Sequence, residues 1–563
     1  MQKAFPGLFK YQKKNLKLQV KADVGFLDTG KLKSLSSYEK DTRAFFLKME
    51  RYLHDASLYE DVPDPFPLKV MGFTREEEQM MQTHKFRRYD GPVRGTVYGF
   101  KVSEWHKNRL RAVWNCYIKA YFRNKVPHYH MQSPKKIAQK LHSIAGPRTY
   151  FIQFDFASYY DQFRLRGIIP SFFCFLGRDG NTHALHRLPM GFSLACAVAQ
   201  STTWQILNFE KRSTPFTCID NVAFAGTLEE VHHDVNLFLE RVLAIDATLN
   251  ELSKDEMRRY LQSSTEEQRE CIKSWHKDEF TFLGVSYSWK SKLKKVSEKT
   301  MDKLKAANSC LKVMDKEIAP RQLAAIIGLL RYASDTYSIA LYNKFDLLAW
   351  TRRIGYYLQG DVKRWDSAPL ALPDKFKKGL LDWFQQVLTH PMVRIAKDLP
   401  AALPTTIITD ASGVGWGAVM VQGAHIVHRR GPWPSHKGWS AVAEPEAVWE
   451  AAKNLVSSQM TNVLILTDHL PLVYASLGPS PRSYHYNKLL LQLTTRFPQT
   501  NFYFQFIPGS QNVADKLSRG EDDVIEYGVA RRFAGTGWDS ALRYIRQGPP
   551  CSKCDSPCLP WQY

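Results

Sequence analysis

Apolar residues recur along this chain in two kinds of spacing. Between Asp41 and Leu53, Phe45, Phe46, Met49 and Leu53 fall on one side of a helical wheel. Thr227-Leu-Glu-Glu230 is a capping-box pattern, and Val231, Val235, Phe238, Leu239 and Val242 follow it at helical spacing. The charged stretch 252–277 reads as a solvated helical hairpin. Helical periods return at Met301–Met314 and again at Pro320–Trp350, the second punctuated by Gly328. The other kind of run is short, rich in aromatic and β-branched residues, and predicts buried strands. Tyr150–Phe156, Phe216–Ala225, Thr405–Met420 and Leu464–Asp468 are of this kind. Each carries an aspartate, at Asp155, Asp220, Asp410 and Asp468. A buried charge costs free energy unless something pairs with it, so these four positions mark chemistry. Strands and helices mix throughout, with proline breaks at Val62–Pro67 and Leu399–Pro404, which predicts a multidomain α+β protein.

Composition narrows the partner. At 563 residues, several domains of roughly 100–200 residues each are expected, and 44% apolar residues suffice for sizeable cores. The formal charge of +22 calls for a polyanionic partner, and residues 85–150 alone carry 15 Lys/Arg against Asp90 and Glu104. In that stretch the cations interleave with Phe86, Tyr89, Tyr98, Phe100, Trp105, Trp114, Tyr117 and Tyr121. Such a surface grips phosphates while stacking bases, which favours nucleic acid over a merely solvated basic face. Nine scattered cysteines do not resemble a secreted disulfide framework and point to a reducing compartment, cytoplasm or nucleus. No apolar run reaches ~18 residues, so no membrane partner is expected. The first 22 residues are basic but lack the arginines of a transit peptide.

Asp155 and Asp220 stand 65 positions apart on two candidate strands. Two carboxylates on adjacent strands that hold a pair of Mg²⁺ ions are the core of nucleotidyl transfer. At this point the chain resembles a reverse transcriptase palm. Asp155 falls at that family's first metal-binding aspartate and Tyr160 at the aromatic position that excludes a ribose 2′-hydroxyl. Leu188-Pro-Met-Gly191 resembles the Leu-Pro-Gln-Gly turn under template and incoming nucleotide, which implies contacts from Met190 and Gly191. Phe282-Leu-Gly284 resembles the primer-grip hairpin. Lys101 to Asn115 is similar to the fingers strands, so Lys101 and Arg111 are the implied triphosphate contacts. There are departures. Cys218-Ile-Asp-Asn221 stands where the family has aromatic-x-Asp-Asp, so Asn221 offers a neutral amide oxygen in place of a second acid while Asp220 keeps the direct role. Cys196 replaces a usual proline, and Met190 a glutamine. The stretch from 251 to 279 is longer than this connection normally is; an insertion that touches nucleic acid is the alternative to the solvated hairpin.

A second set of acids follows the proline break. Gly413-Val-Gly-Trp-Gly417 lacks the G-x-G-x-x-G pattern of a dinucleotide loop. The stretch instead resembles the opening hairpin of ribonuclease H, with Asp410 as first acid. Glu444-Pro-Glu-Ala447 resembles that family's Glu-x-x-Ala helix and makes Glu444, not Glu446, the second. Asp468 closes an apolar strand, and Ile507 to Arg519 resembles the retroelement ending with Asp515 as fourth. Two Mg²⁺ ions, with Mn²⁺ able to substitute, are implied at each centre. Cys551, Cys554 and Cys558 form an incomplete zinc pattern in a tail that otherwise reads as exposed.

The resemblance implies a right-hand polymerase (fingers, palm, thumb) followed by an α/β ribonuclease H-like domain. The expected order is an extension at 1–84, fingers and palm at 85–294, thumb and connection at 295–402, ribonuclease H at 403–520 and a tail at 521–563. Lys303, Lys305, Lys312 and Lys316 of the thumb would meet phosphates. The implied activity is RNA-directed DNA synthesis with degradation of the RNA strand. Its partners are an RNA template, a DNA primer, the RNA–DNA hybrid and dNTPs. Among retroelements the ending and domain order look most like the DIRS or tyrosine-recombinase group, including the VIPER elements of trypanosomatids. Asn221 supports a rival reading, a domesticated or decayed scaffold that binds nucleic acid.

Overall fold

The computed structural model describes residues 16–35, 40–63, 65–104, 107–122, 124–125, 131–314, 316–358, 361–367, 369–398, 405–521 and 526–547. The basic first 15 residues, Trp105, the 399–404 break and Cys551, Cys554 and Cys558 lie outside them. Two compact units share the described chain. One takes the residues up to Phe280 with Ser288–Lys292, and the other takes Thr281–Tyr287 and everything from Leu293 onward.

In the first unit, helix α1 (Lys40–Arg51) turns Phe46 and Met49 into the core. Strand β1 (Phe86–Arg88) precedes a long hairpin of β2 (Val97–Glu104) and β3 (Arg109–Cys116). Helix α2 (Pro134–Ile144) leads to β4 (Tyr150–Asp155), and β5 (Cys174–Leu176) and β6 (Thr182–Leu185) join β1 in a small sheet. Helix α3 (Ala195–Ile206) is buried along almost its whole length. Strands β7 (Thr214–Cys218) and β8 (Asn221–Gly226) form a tight hairpin, and β8 pairs antiparallel with β4, giving the order β4-β8-β7. Helix α4 (Leu228–Ala244) then covers this sheet. Its capping box is made as the pattern predicts: Thr227 N–H donates to Glu230 Oε2 at 2.9 Å, and Glu230 N–H to Thr227 Oγ1 at 3.4 Å. Val231, Val235, Phe238, Leu239 and Val242 are fully buried, and the Phe238 ring lies 5.5 Å from both Phe154 and Phe224.

The stretch after 250 forms two helices, α5 (Lys254–Gln262) and α6 (Thr265–Trp275), each opened by its own capping box. It is a helical hairpin, but not a free-standing one. Met257, Tyr260 and Ile272 join the core, and Tyr260 donates to Asn236 Oδ1 of α4 at 2.8 Å.

The second unit opens with helices α7 (Glu298–Val313), α8 (Pro320–Thr336) and α9 (Phe345–Tyr357). The apolar period from 320 to 350 predicted one helix, and it is two. The break falls not at Gly328, which α8 accommodates, but at Ser338, whose φ of +56° turns the chain out of the helix. Helix α10 (Asp374–Leu388) buries Leu380, Trp383, Phe384 and Val387, and Trp383 Nε1–H donates to Ser334 Oγ at 2.8 Å.

From Thr405 the unit is a five-stranded sheet with helices on both faces. Strands β9 (Thr405–Ala411), β10 (Gly415–Gln422) and β11 (His425–Pro432) form an antiparallel meander. Helix α11 (Ser440–Leu455) crosses over to β12 (Asn462–Thr467), which lies parallel to β9. Helices α12 (Leu470–Leu477) and α13 (Tyr484–Arg496) lead to β13 (Asn501–Phe506), parallel to β12. The order is β11-β10-β9-β12-β13. Ile407, Ala447, Ala451, Ile465 and Leu489 fill one face. The other is covered by the short α14 (Asp515–Ser518) and by α15 (Tyr527–Gln547), whose Ala530, Ala534, Trp538 and Ala541 pack on Ile408, Val419, Val421, Leu464 and Leu466. Trp538 Nε1–H reaches Thr406 Oγ1 at 2.9 Å.

Candidate active sites

Asp155 ends β4, and the pairing of β4 with β8 puts it directly opposite Asn221, on the same face of the sheet. Asp220 occupies the two-residue turn between β7 and β8, and its backbone oxygen accepts from Phe156 N–H at 2.9 Å. The other turn residue, Ile219, has φ +56°, a conformation that costs a β-branched residue of order 1–3 kcal/mol. Helix α3 holds it there: Ile219 N–H donates to Gln200 Oε1 at 2.6 Å, and its carbonyl accepts from Thr203 Oγ1 at 2.6 Å. The turn is therefore set by buried side chains behind it.

A third acid stands in this centre. Asp155 N–H donates to Glu251 Oε2 at 2.9 Å, and Asn250 N–H donates to the Asp155 carbonyl at 2.8 Å. Burial, then the charges of Asp220 and Glu251, push the Asp155 carboxyl up to about 7. Lys107 and the Asn250 side chain oppose the rise. Burial also raises Asp220, restrained by its own backbone N–H, Arg111 and Lys107. Asp155 Oδ1 is buried without a hydrogen-bond partner.

The fingers cations separate. Lys101 pairs with Ala112 across the hairpin and Arg111 with Val102, so the two side chains leave opposite faces. Lys101 binds Glu77 at 3.1 Å. Arg111 faces the carboxylates, with one nitrogen on Glu104 at 3.2 Å and another 3.9 Å from Met190 Sδ. Met190 and Gly191 dock on the same strand, where the Met190 carbonyl accepts from Trp114 N–H at 2.8 Å. Gly191 has φ +108°, and a Cβ there would lie 2.2 Å from the Trp114 oxygen, so only glycine fits. Tyr160, half-buried after the turn at Ser158, meets Cys196 Sγ at 3.2 Å.

The second centre is tighter. Asp410 is the penultimate residue of β9, Glu444 sits in the first turns of α11, and Asp468 follows β12. One oxygen from each lies within 4.8 Å of the others. Asp410 and Glu444 are 4% and 5% exposed. Burial, with the charges of Asp468 and Asp515, pushes Asp410 up to about 7; burial, then Asp410 and Asp468, push Glu444 up to about 9. Burial raises Asp468 as well. Glu444 Oε2 is buried and unpartnered. Ser518 Oγ–H donates to Asp410 Oδ2 at 2.6 Å. Asp515 stands beside this triad and is tied to Arg519 at 3.0 Å. Gly417, opposite Asp410 in β10, lets α14 in: a Cβ there would lie 2.6 Å from Leu517 Cβ and 2.7 Å from the Ala514 oxygen. Glu446 points elsewhere, to Lys437 at 2.6 Å.

Glu251 and Lys107 escape a reading of the sequence, since each lies in a connection whose path depends on packing. The chain is thus a multidomain α+β protein with two carboxylate centres, one in each unit. No protein-family model and no curated protein matches it. Among solved structures it is similar to the foamy viral protease-reverse transcriptase in complex with dsDNA, at a TM-score of 0.45 and 13% identity over 87% of this chain and 98% of that one. It is also similar to the foamy viral protease-reverse transcriptase dRH with ds DNA (0.42, 11%, 89% and 85%). The foamy viral enzyme with an RNA/DNA hybrid gives 0.43 and 13%, over 89% and 65%. Among the described residues no helix is long and apolar enough to cross a membrane.

Proposed function

We propose that this chain is an RNA-directed DNA polymerase joined to a ribonuclease H, with the polymerase centred on Asp155 and Asp220 and the nuclease on Asp410, Glu444, Asp468 and Asp515. The observation that carries the reading is the gathering of Asp410, Glu444 and Asp468 within 4.8 Å in a buried setting. Three carboxylates so placed repel one another unless a cation joins them. An all-oxygen donor set suits a hard divalent ion such as Mg²⁺, and the unpartnered Glu444 Oε2 and Asp155 Oδ1 are free to accept one. When bound, paired ions would supply charge neutralisation and Lewis-acid activation of the attacking oxygen.

The chain's own residues position the reactants. Asp155 and Asp220, with the Asn221 amide oxygen, would hold the polymerase ions, and Arg111 and Lys107 offset the charge of a dNTP triphosphate. Tyr160 walls the sugar, and the Met190–Gly191 turn lies under the new base pair. Lys101 leaves the opposite face of the hairpin and is held by Glu77, so the triphosphate contact falls to Arg111. In the nuclease, Ser518 and Arg519 orient Asp410 and Asp515, and the hybrid is read through its shape and 2′-hydroxyls. The domain order proposed from the sequence, a DIRS-type retroelement origin and an RNA template with DNA primer belong to this reading.

The test is Mg²⁺-dependent dNTP incorporation on a primed RNA template and cleavage of the RNA in a hybrid, with Asp155→Asn and Asp410→Asn assayed separately. Each substitution should abolish one activity and spare the other. If neither activity changes, the site assignment fails. Asn221 favours a second reading, a polymerase-silent nucleic-acid scaffold with a live nuclease. Incorporation that appears only with Asn221→Asp would support it.

A further inference from the structure

Outside both carboxylate centres, the first unit concentrates positive charge around one buried imidazole. His186 follows β6, and its surroundings are cationic: Arg87 of β1, Arg164 after the turn that bears Tyr160, and Arg187 all act on it. Arg164 and Arg187 stand opposite each other across an isolated antiparallel bridge. Both guanidiniums lie over the Phe26 ring, at 5.5 and 4.2 Å from its centroid, and Phe26 meets the His186 ring edge-on at 6.0 Å. Like charges set opposite one another across a strand pair are destabilising, a cost that the Asp161 carboxylate offsets only in part, at Arg187.

The nearby acid is shared between Arg187 and Lys85. Asp161 binds Lys85 at 2.7 Å. Arg187 donates through one terminal nitrogen to the Val24 carbonyl at 3.0 Å and to the Asp161 backbone oxygen, while its Nε is buried and unpartnered. No carboxylate among the described residues pairs with Arg87 or Arg164. His186 is 8% exposed, and the Thr83 backbone is a hydrogen-bonding neighbour of its ring. Burial first, then the three arginines, hold it down to about 4 against the hydrogen bond with the Thr83 backbone, so at neutral pH the ring adds no charge of its own.

We propose that Arg87, Arg164 and Arg187, grouped about the uncharged His186, form a phosphate-binding site that takes either the phosphodiester group of a nucleic-acid strand or a free phosphate. Guanidinium forks match phosphate oxygens two at a time, and the unpartnered Arg187 Nε–H is a further donor in the same cluster. Phe26 lies against two of the forks. The strand form of the ligand rests on the nucleic-acid reading above; the free-anion form does not.

The experiment uses the full chain and Arg87→Gln/Arg164→Gln, two exposed positions whose replacement leaves the Arg187 contacts in place. A control, Arg258→Gln/Lys273→Gln, removes two cations from α5 and α6. The first probe is a labelled single-stranded RNA, with affinity followed against salt. Loss of the site should make the slope of log K against log[salt] shallower by about 0.7 for each phosphate contact removed, with the control unchanged. The second probe is inorganic phosphate, read as a rise in melting temperature over chloride at matched ionic strength, which should vanish in the site variant. A changed RNA slope assigns the site to a strand. A lost phosphate effect with an unchanged RNA slope assigns it to a free anion. If both readouts match the unaltered chain, or if the control loses as much as the site variant, the proposal is overturned. Failure of the unaltered chain to bind RNA at all sinks the nucleic-acid reading instead, and the phosphate arm still decides the site.

Discussion

Replacing Glu444 with glutamine should strengthen the folded chain while abolishing the proposed nuclease activity. Without a cation the triad pays for its closeness in protons: a glutamate of ordinary value 4.5 that must stay protonated at pH 7 costs about 3.4 kcal/mol, and Glu444 is pushed up to about 9. The sign follows from the raised value. Between about 4.5 and about 9 the folded chain holds a proton that the unfolded chain has released, so stability is greatest at low pH and falls as pH rises through that window. Asp410, pushed up to about 7, adds a loss of the same sign between its ordinary 3.8 and about 7. Glutamine removes the proton uptake at Glu444 but leaves a buried amide short of partners, at ~1–2 kcal/mol. The net gain is therefore about 2 kcal/mol, or some 4–8 °C in the melting of a unit of this size. The assay is thermal unfolding at pH 7 in EDTA, then with Mg²⁺. The glutamine variant should melt higher in EDTA and gain less from Mg²⁺ than the unaltered chain, and it should not cleave a hybrid. A variant that melts lower in EDTA, or that retains cleavage, would refute the reasoning.

Three further perturbations probe the first unit. Phe238→Ala empties the contact between α4 and the β4-β8 sheet and should cost ~3–5 kcal/mol by urea denaturation; a loss below about 1 kcal/mol would mean that the core collapses around the gap. Gly191→Ala places a methyl against the Trp114 carbonyl and forces an alanine to φ +108°, so dNTP incorporation should fall at least tenfold, and normal incorporation would show that the turn is not held as described. Glu251→Gln removes one negative charge beside Asp155. The Mg²⁺ concentration for half-maximal incorporation should rise several-fold, and an unchanged requirement would exclude Glu251 from the centre.

Much of this geometry is visible in the chain itself, for a physical reason. Asp155, Asp220, Asp410 and Asp468 each interrupt or close an apolar run, and a charge placed there is too costly to be incidental. The capping boxes at Thr227, Ser253 and Ser264 are equally local, since donor and acceptor lie three residues apart. What stays hidden depends on how distant segments meet. Lys101 and Arg111 look equivalent in the sequence, yet the register of their hairpin sends them to opposite faces. Glu251 looks like one more charge of a solvated stretch until Asp155 N–H claims it. The stop at Ser338 has no glycine or proline to announce it, because an apolar period runs straight across it. Helix α10 was expected only as a linking segment. The cover that α15 gives the sheet is faint in sequence because it relies on Ala530, Ala534 and Ala541, which carry little hydrophobic contrast.

That last helix bears on how the proposed nuclease can be handled in the laboratory. A fragment ending at residue 520 keeps all four acids, but it strips the cover from Ile408, Val419, Val421, Leu464 and Leu466. Such a piece would expose a broad sheet of aliphatic side chains and clump on expression, and its silence in an assay would be mistaken for a dead enzyme. A premature stop between Gly520 and Tyr527 would act in the same way in a cell, removing activity through solubility rather than chemistry. The shortest fragment worth purifying runs past Ala541.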